Sequence, residues 1–183
     1  MKKPLLFGLI ILGQLAYLGV GIGYHQAQIR AGTRILLKTA PVDPFSMFRG
    51  RYVALSYDIS RIPTTLFRDA DPKQLKQGDA VYVVLAQKGD FWEPVSVHTQ
   101  RPSSGTFLRG RLQTNVFGSD LWLLYGLESF FLSEASADYI EDNLRQVART
   151  QGRQSSPLHV EVAVAPDGTG YPVKLLWQGR EYR

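Results

Sequence analysis

The side chains best able to do chemistry in this chain are few and scattered. Ser46-Met47 precedes Gly50-Arg51-Tyr52-Val53, and Lys88 follows in a Lys-Gly-Asp turn. A serine attacks only when a neighbouring base takes its proton, and lysine is that base only where burial lowers its pKa. A Ser46/Lys88 pair would therefore make a hydrolase, but the polar turn keeps Lys88 solvated and charged. Glu128 and Glu134 form a second pair, of the kind that cleaves glycosidic bonds; their flanks read instead as a strand end and a helix start. His98 with Glu93 or Asp90 offers two adjacent ligands on a hairpin, too few for a metal centre. The absence of cysteine excludes disulfides, thiol catalysis and thiolate metal sites, and three histidines, His25, His98 and His159, argue against a His-rich zinc site. The sequence has no Gly-rich phosphate loop and no Ser/His/Asp pattern. The residues thus point to no catalytic centre, no metal and no cofactor.

The elements that must position these residues begin with an apolar stretch over residues 4–24, behind Lys2 and Lys3. It carries no charge, and Gln14 is its one strongly polar side chain. At 1.5 Å per residue it spans roughly 30 Å, the hydrocarbon thickness of a bilayer. It is longer than the apolar core of a cleavable signal, and Gly23-Tyr24-His25-Gln26-Ala27 is a poor cleavage site. The expectation is an uncleaved anchor over 1–27 tethering a single soluble domain over 28–183. Lys2 and Lys3 before the span nearly balance Arg30, Arg34 and Lys38 after it. A short Lys-Lys head nonetheless acts as an export signal, which puts the domain outside. Gly19 and Gly23 form a small-xxx-small pair on which another helix could pack, and Gln14 would seek a partner in the bilayer. These features predict contact with the lipid bilayer and with an integral membrane protein.

Beyond the span the periodicity is mainly that of strands. Residues 34–39 read as a strand ended by Pro41-Val42-Asp43-Pro44. Residues 52–60 alternate, with Val53, Leu55, Tyr57 and Ile59 on one face. Residues 80–86 and 91–99 make a hairpin, 107–114 and 121–125 two further strands, and 158–165 and 171–177 a closing hairpin around Asp167-Gly168. One amphipathic helix is expected over 137–148, capped by Ser133 or Ser136. Seven or eight strands and one helix give a mainly β domain, a barrel or sandwich.

The stretch Gly50-Arg51-Tyr52-Val53-Ala54-Leu55-Ser56-Tyr57, preceded by Val42-Asp43-Pro44, resembles the signature of the GDYXXLXY family, a bacterial group of membrane-anchored proteins. The resemblance continues through Tyr125-Gly126-Leu127-Glu128-Ser129-Phe130-Phe131-Leu132-Ser133-Glu134 and the closing hairpin, and it takes in the N-terminal span. Gly50, Tyr52, Leu55 and Tyr57 match; the acidic second position is Arg51 here, so chemistry through that carboxylate is not available to this chain. The resemblance implies an architecture and a compartment, the bacterial inner (or thylakoid) membrane with the domain on its extracytoplasmic side. It implies no reaction.

Part of the motif is explained by structure alone. Leu55 and Tyr57 share the buried face, Gly50 suits a turn, and Asp43 before Pro44 starts one. Tyr52 points the other way, beside Ala54 and Ser56 and next to Arg49 and Arg51, where it could line an anion or peptide groove. The candidate binding residues are therefore Asp43, Arg49, Arg51, Tyr52 and Tyr57, with Gln14, Gly19 and Gly23 facing a membrane partner. The net charge of +5 is spread along the chain, and nothing interleaves aromatic and basic residues for nucleic acid. The expected function is a membrane-tethered, non-enzymatic accessory or binding domain. The alternatives are an extracytoplasmic hydrolase and a lipid- or cell-wall-binding module.

Overall fold

In a computed structural model of the chain, residues 2–40, 48–49, 52–114, 118–133, 135–136, 139–140 and 158–182 are described. The order is α1 (Lys2–Ala31), β1 (Thr33–Lys38), β2 (Phe48–Arg49), β3 (Tyr52–Ala54), β4 (Arg61–Pro63), β5 (Ala80–Lys88), β6 (Phe91–His98), β7 (Thr106–Leu112), β8 (Asp120–Leu124), β9 (Ser129–Phe131), β10 (Leu158–Val164), β11 (Gly170–Trp177) and β12 (Arg180–Tyr182).

α1 has no charged residue between Lys3 and Arg30, and every residue over 7–27 is exposed on the outside of the domain. The helix is long and apolar enough to cross a membrane. It runs on past the expected boundary at 27 and meets the domain at its C-terminal end. There His25 packs edge-on against Tyr171 with ring centroids 4.6 Å apart. Gly32 follows, and a Cβ at that position would meet the Val164 carbonyl at 3.1 Å. A side chain there would crowd that carbonyl, so glycine suits the close join of helix and strand.

The strands form ladders in the orders β1-β10-β11-β12, β2-β3-β9 and β4-β8-β7-β5-β6, all antiparallel. They curl into a nearly closed, barrel-like wall. The Thr39–Tyr57 bridge joins the first ladder to the segment after β3, and the Ala40 amide donates to the Ser56 carbonyl at 2.9 Å. Alternation aims Ile35, Leu37, Val81, Val83, Leu108, Leu121, Val160, Leu175 and Trp177 into one shared core. Pro94 in β6 sits where the β5–β6 register slips, a place where its missing amide costs no ladder bond.

The fold thus matches the mainly β expectation, with corrections of detail. The strand expected over 52–60 ends at Ala54. Its alternation persists, with Val53, Leu55, Tyr57 and Ile59 buried, but the backbone is diverted. The Leu55 amide donates to the Glu128 carbonyl, and the Ser60 amide to the Tyr57 carbonyl at 2.8 Å, closing a 3-10 turn over Asp58–Ser60. Short strands at β2, β4, β9 and β12 were not expected; two or three residues are too few to show a period. Most of the helix expected over 137–148 lies outside the described residues. Residues 135–136 and 139–140 are helical, and Ile140 is fully buried.

Candidate functional site

Two tyrosines lock the motif segment to the segment 125–128. The Tyr57 hydroxyl donates to the Leu127 carbonyl at 2.8 Å, and the Tyr125 hydroxyl donates to the Ile59 carbonyl at 2.7 Å. Each segment thus gives one hydroxyl and takes one. Burial pushes both phenols well above their ordinary pKa, and the nearby Glu128 carboxylate adds to the shift. Both therefore stay protonated, as donors must. Glu128 turns one oxygen onto the Tyr125 amide at 2.6 Å across a turn in which Gly126 has φ of +78°, a left-handed conformation that suits glycine. Leu127, 0% exposed, is driven inward beneath this turn. A Cβ on Gly170 would lie 3.0 Å from its Cδ2 atom, and one on Gly110 would lie 3.1 Å from the Tyr125 ring. These two glycines make the room that the clasp needs.

The clasp forms one wall of a cleft of about 380 Å³, lined by Arg109, Arg111, Leu124, Tyr125, Gly126, Glu128 and Thr169. β7 supplies the arginines. Leu108, Gly110 and Leu112 point inward, so Arg109 and Arg111 stand side by side on the outer face. The β10–β11 turn supplies Thr169. The Asp167 carboxylate accepts from the Thr169 amide and hydroxyl, each at 2.9 Å. The Gly168 carbonyl accepts from the Arg109 amide at 2.8 Å. Gly168 has φ of +86°, and a Cβ there would come within 2.7 Å of the Phe107 ring. On the other flank of the turn, Arg101 donates to the Pro166 carbonyl at 2.7 Å.

Among the described residues, neither Arg109 nor Arg111 has an ion-pair partner. Among the described residues Glu128 is the one carboxylate lining the cleft, and one of its oxygens already serves the Tyr125 amide. Two guanidinium forks with a hydroxyl nearby are suited to a phosphate or carboxylate.

A second cleft, of about 270 Å³, is lined by Lys38, Asp58, Ile59, Trp92, Glu93 and Pro94. Its glutamate is shared by two lysines. Glu93 takes Lys88 at 3.0 Å and Lys38 at 3.8 Å. Lys38 also sits 4.7 Å above the Phe91 ring, whose edge meets His159. Burial raises the Asp58 carboxyl even though Lys38 opposes it, and burial lowers the His159 imidazole.

The structure disperses most of the residues singled out from sequence. Tyr57 is 1% exposed and serves as a brace in the core. β2 and β3 place Arg49 across from Tyr52 in register. Asp43, Gly50 and Arg51 lie outside the described residues, as do Ser46 and Glu134. Gly19 and Gly23 share a face of α1, but Gln14 lies roughly 140–180° around the helix from them at about 100° per residue. They present two faces rather than one. Lys88 is solvent-exposed and paired with Glu93. The His98 Nε2 atom pairs with the Ser96 hydroxyl at 3.0 Å. No group of three or more His, Asp or Glu able to hold a metal ion occurs among the described residues. Arg109 and Arg111 were passed over in sequence. Their one signal is an Arg-Gly-Arg alternation on the outer face of a strand.

The family described as GDYXXLXY protein matches the chain over residues 14–175. That is most of its length, and the chain belongs to this family. No curated protein and no solved structure matches it.

Proposed function

We propose that this member of the GDYXXLXY family is a membrane-tethered accessory domain that works by recognition rather than catalysis. α1 is its uncleaved anchor, the domain is extracytoplasmic, and an integral membrane protein is its partner. The observation that carries this reading is the apolar surface of α1 over 7–27, exposed along its whole length and open around Gly13, Gly19, Gly21 and Gly23. A bilayer would cover that surface, and a second helix could approach the Gly19–Gly23 face closely. Support for recognition comes from how chemistry-capable side chains are used. Tyr57, Tyr125 and Glu128 hold backbone groups of the clasp, and Lys88 is neutralised by Glu93.

The test is purification of the intact chain in mild detergent. The expected result is a mass that retains α1 and a membrane protein that co-purifies. Gly19→Leu/Gly23→Leu should lose that protein while the chain stays in the membrane. Release of the chain as a soluble, shortened species, or a co-purification profile unchanged by the double substitution, would count against the reading.

A further inference from the structure

The arginine cleft stands at the end of the domain from which α1 leaves. Thr33, the first residue of β1, pairs with Val164, the last of β10; the turn that follows carries Asp167 and Thr169. Tyr171, just beyond, rests against His25. His25 lies about 9 Å down the helix axis from Ala31, at roughly 1.5 Å per residue. The apolar stretch ends at Tyr24, and about 20 residues of it fill the hydrocarbon core. His25 is then at the headgroup layer, and Tyr171 is held there with it. Thr169 is two residues from Tyr171, about 7 Å of strand, so the cleft it lines opens beside the lipid headgroups.

The charges at this pole are lopsided. Arg34 is matched by Glu161 at 3.5 Å. Arg30, Arg101, Arg109 and Arg111 have no ion-pair partner among the described residues, and the acids described in and beside the cleft, Glu128 and Asp167, are engaged elsewhere. Asp167 is turned onto Thr169, and Glu128 onto the Tyr125 amide. An anionic bilayer surface attracts such a set, and the fork geometry of two adjacent guanidiniums suits a phosphate rather than a diffuse field.

We infer that the cleft formed by Arg109, Arg111 and Thr169 binds the phosphate of an anionic phospholipid headgroup in the leaflet from which α1 emerges. The inference rests on the reading of α1 as an uncleaved anchor. It adds that the domain lies down on its membrane through its β10–β11 turn, with the tyrosine clasp holding the cleft in shape.

The test places the full chain in nanodiscs of phosphatidylcholine, alone or mixed with phosphatidylglycerol, and labels arginines with phenylglyoxal. Arg180 is the internal control. It follows β11 at the end away from Gly170, about 23 Å along the strand at roughly 3.3 Å per residue. The expected result is several-fold slower labelling of Arg109 and Arg111 in the anionic discs, with Arg180 unchanged and the protection falling as salt rises. A companion measurement counts the phosphatidylglycerol retained by the chain in mild detergent. Arg109→Ala/Arg111→Ala should lose it and Lys88→Ala should keep it. Equal labelling in the two kinds of disc, or slowing shared by Arg180, would overturn the inference. Equal protection by inorganic phosphate in neutral discs would also overturn it, by assigning the cleft to a free anion. A chain that enters neither disc would bring down the anchor reading, and the inference with it.

Discussion

The β1–β10 ladder ends in a cleft at each pole, and the two clefts are built on opposite electrostatic plans. At the far pole, beside the Lys38–His159 pair of the register, Lys38 and Lys88 share Glu93. Asp58 lines the same cleft, so two carboxylates there meet the two lysines. At the near pole, beside Thr33 and Val164, Arg109 and Arg111 have no ion-pair partner among the described residues, while the Arg109 amide is fixed by the β10–β11 turn. Surface ion pairs contribute little to stability, so pairing the far cleft serves mainly to quiet its charge. Unpaired guanidiniums on a braced strand keep theirs available. On the proposed reading, the difference assigns recognition to the pole from which α1 leaves, and it would give the tyrosine clasp a purpose beyond packing.

The largest effect should come from removing the wedge under the clasp. Leu127 is wholly buried against Gly170. Leu127→Ala should cost about 2–5 kcal/mol, read as a lower denaturant midpoint, with the near pole loosening first in hydrogen exchange. A loss below about 1 kcal/mol would mean that the wall does not depend on it.

Next come the clasp hydroxyls. Tyr57→Phe leaves the Leu127 carbonyl without its donor, and Tyr125→Phe does the same to Ile59. Each should cost about 1–3 kcal/mol. The double variant should cost less than the sum, because either change frees the same pair of segments. Strict additivity in a double-mutant cycle would show two independent bonds instead of one clasp.

The far cleft should respond to pH rather than to lipid. The folded Asp58 carboxyl titrates above its ordinary value of 3.8 because of burial, opposed by Lys38. Its contribution is present below that value and is lost as pH rises through the folded pKa. Asp58→Asn should therefore remove the fall in stability that accompanies a rise in pH from below 3.8 through the folded pKa. His159 titrates below its ordinary 6.5, chiefly through burial. Its contribution is present above 6.5 and is lost as pH falls through the folded pKa. His159→Gln should flatten that limb. Stability curves of opposite slope to these would contradict the assignment.

The smallest effect belongs to the paired charges themselves. Glu93→Gln breaks both lysine pairs at once, yet its side chain is 39% exposed, and the cost should stay under about 1 kcal/mol. Arg109→Ala should change stability by no more than about 0.5 kcal/mol. A larger cost for Arg109→Ala would reveal a hidden structural partner and weaken the contrast between the poles.

Much of the frame was legible in the residues. The apolar run of α1 and the long strands β5, β10 and β11 show their periods plainly. The buried set Val53, Leu55, Tyr57 and Ile59 was readable from alternation, although the strand carrying it stops at Ala54. Alternation reports which way a side chain faces, not where its backbone bonds go, and here they go to Glu128 and Ser60. The cleft was illegible for a different reason. Arg109 and Thr169 come together only because a turn folds back across β7, and Tyr57 finds the Leu127 carbonyl 70 residues away. No local pattern encodes either meeting. Arg-Gly-Arg in a strand says only that two cations face outward.

The central claim, that the arginine pole rests on the membrane and the paired pole does not, can be tested by depth. The chain has no cysteine, so single spin labels can be placed at Thr169→Cys near the anchor and at Asp90→Cys in the β5–β6 turn of the far pole. With the intact chain in anionic bilayers, relaxation by a paramagnetic lipid headgroup should broaden the label at 169 strongly and leave the label at 90 as it is in detergent. Equal broadening at the two positions, or broadening at 90 alone, would contradict the account.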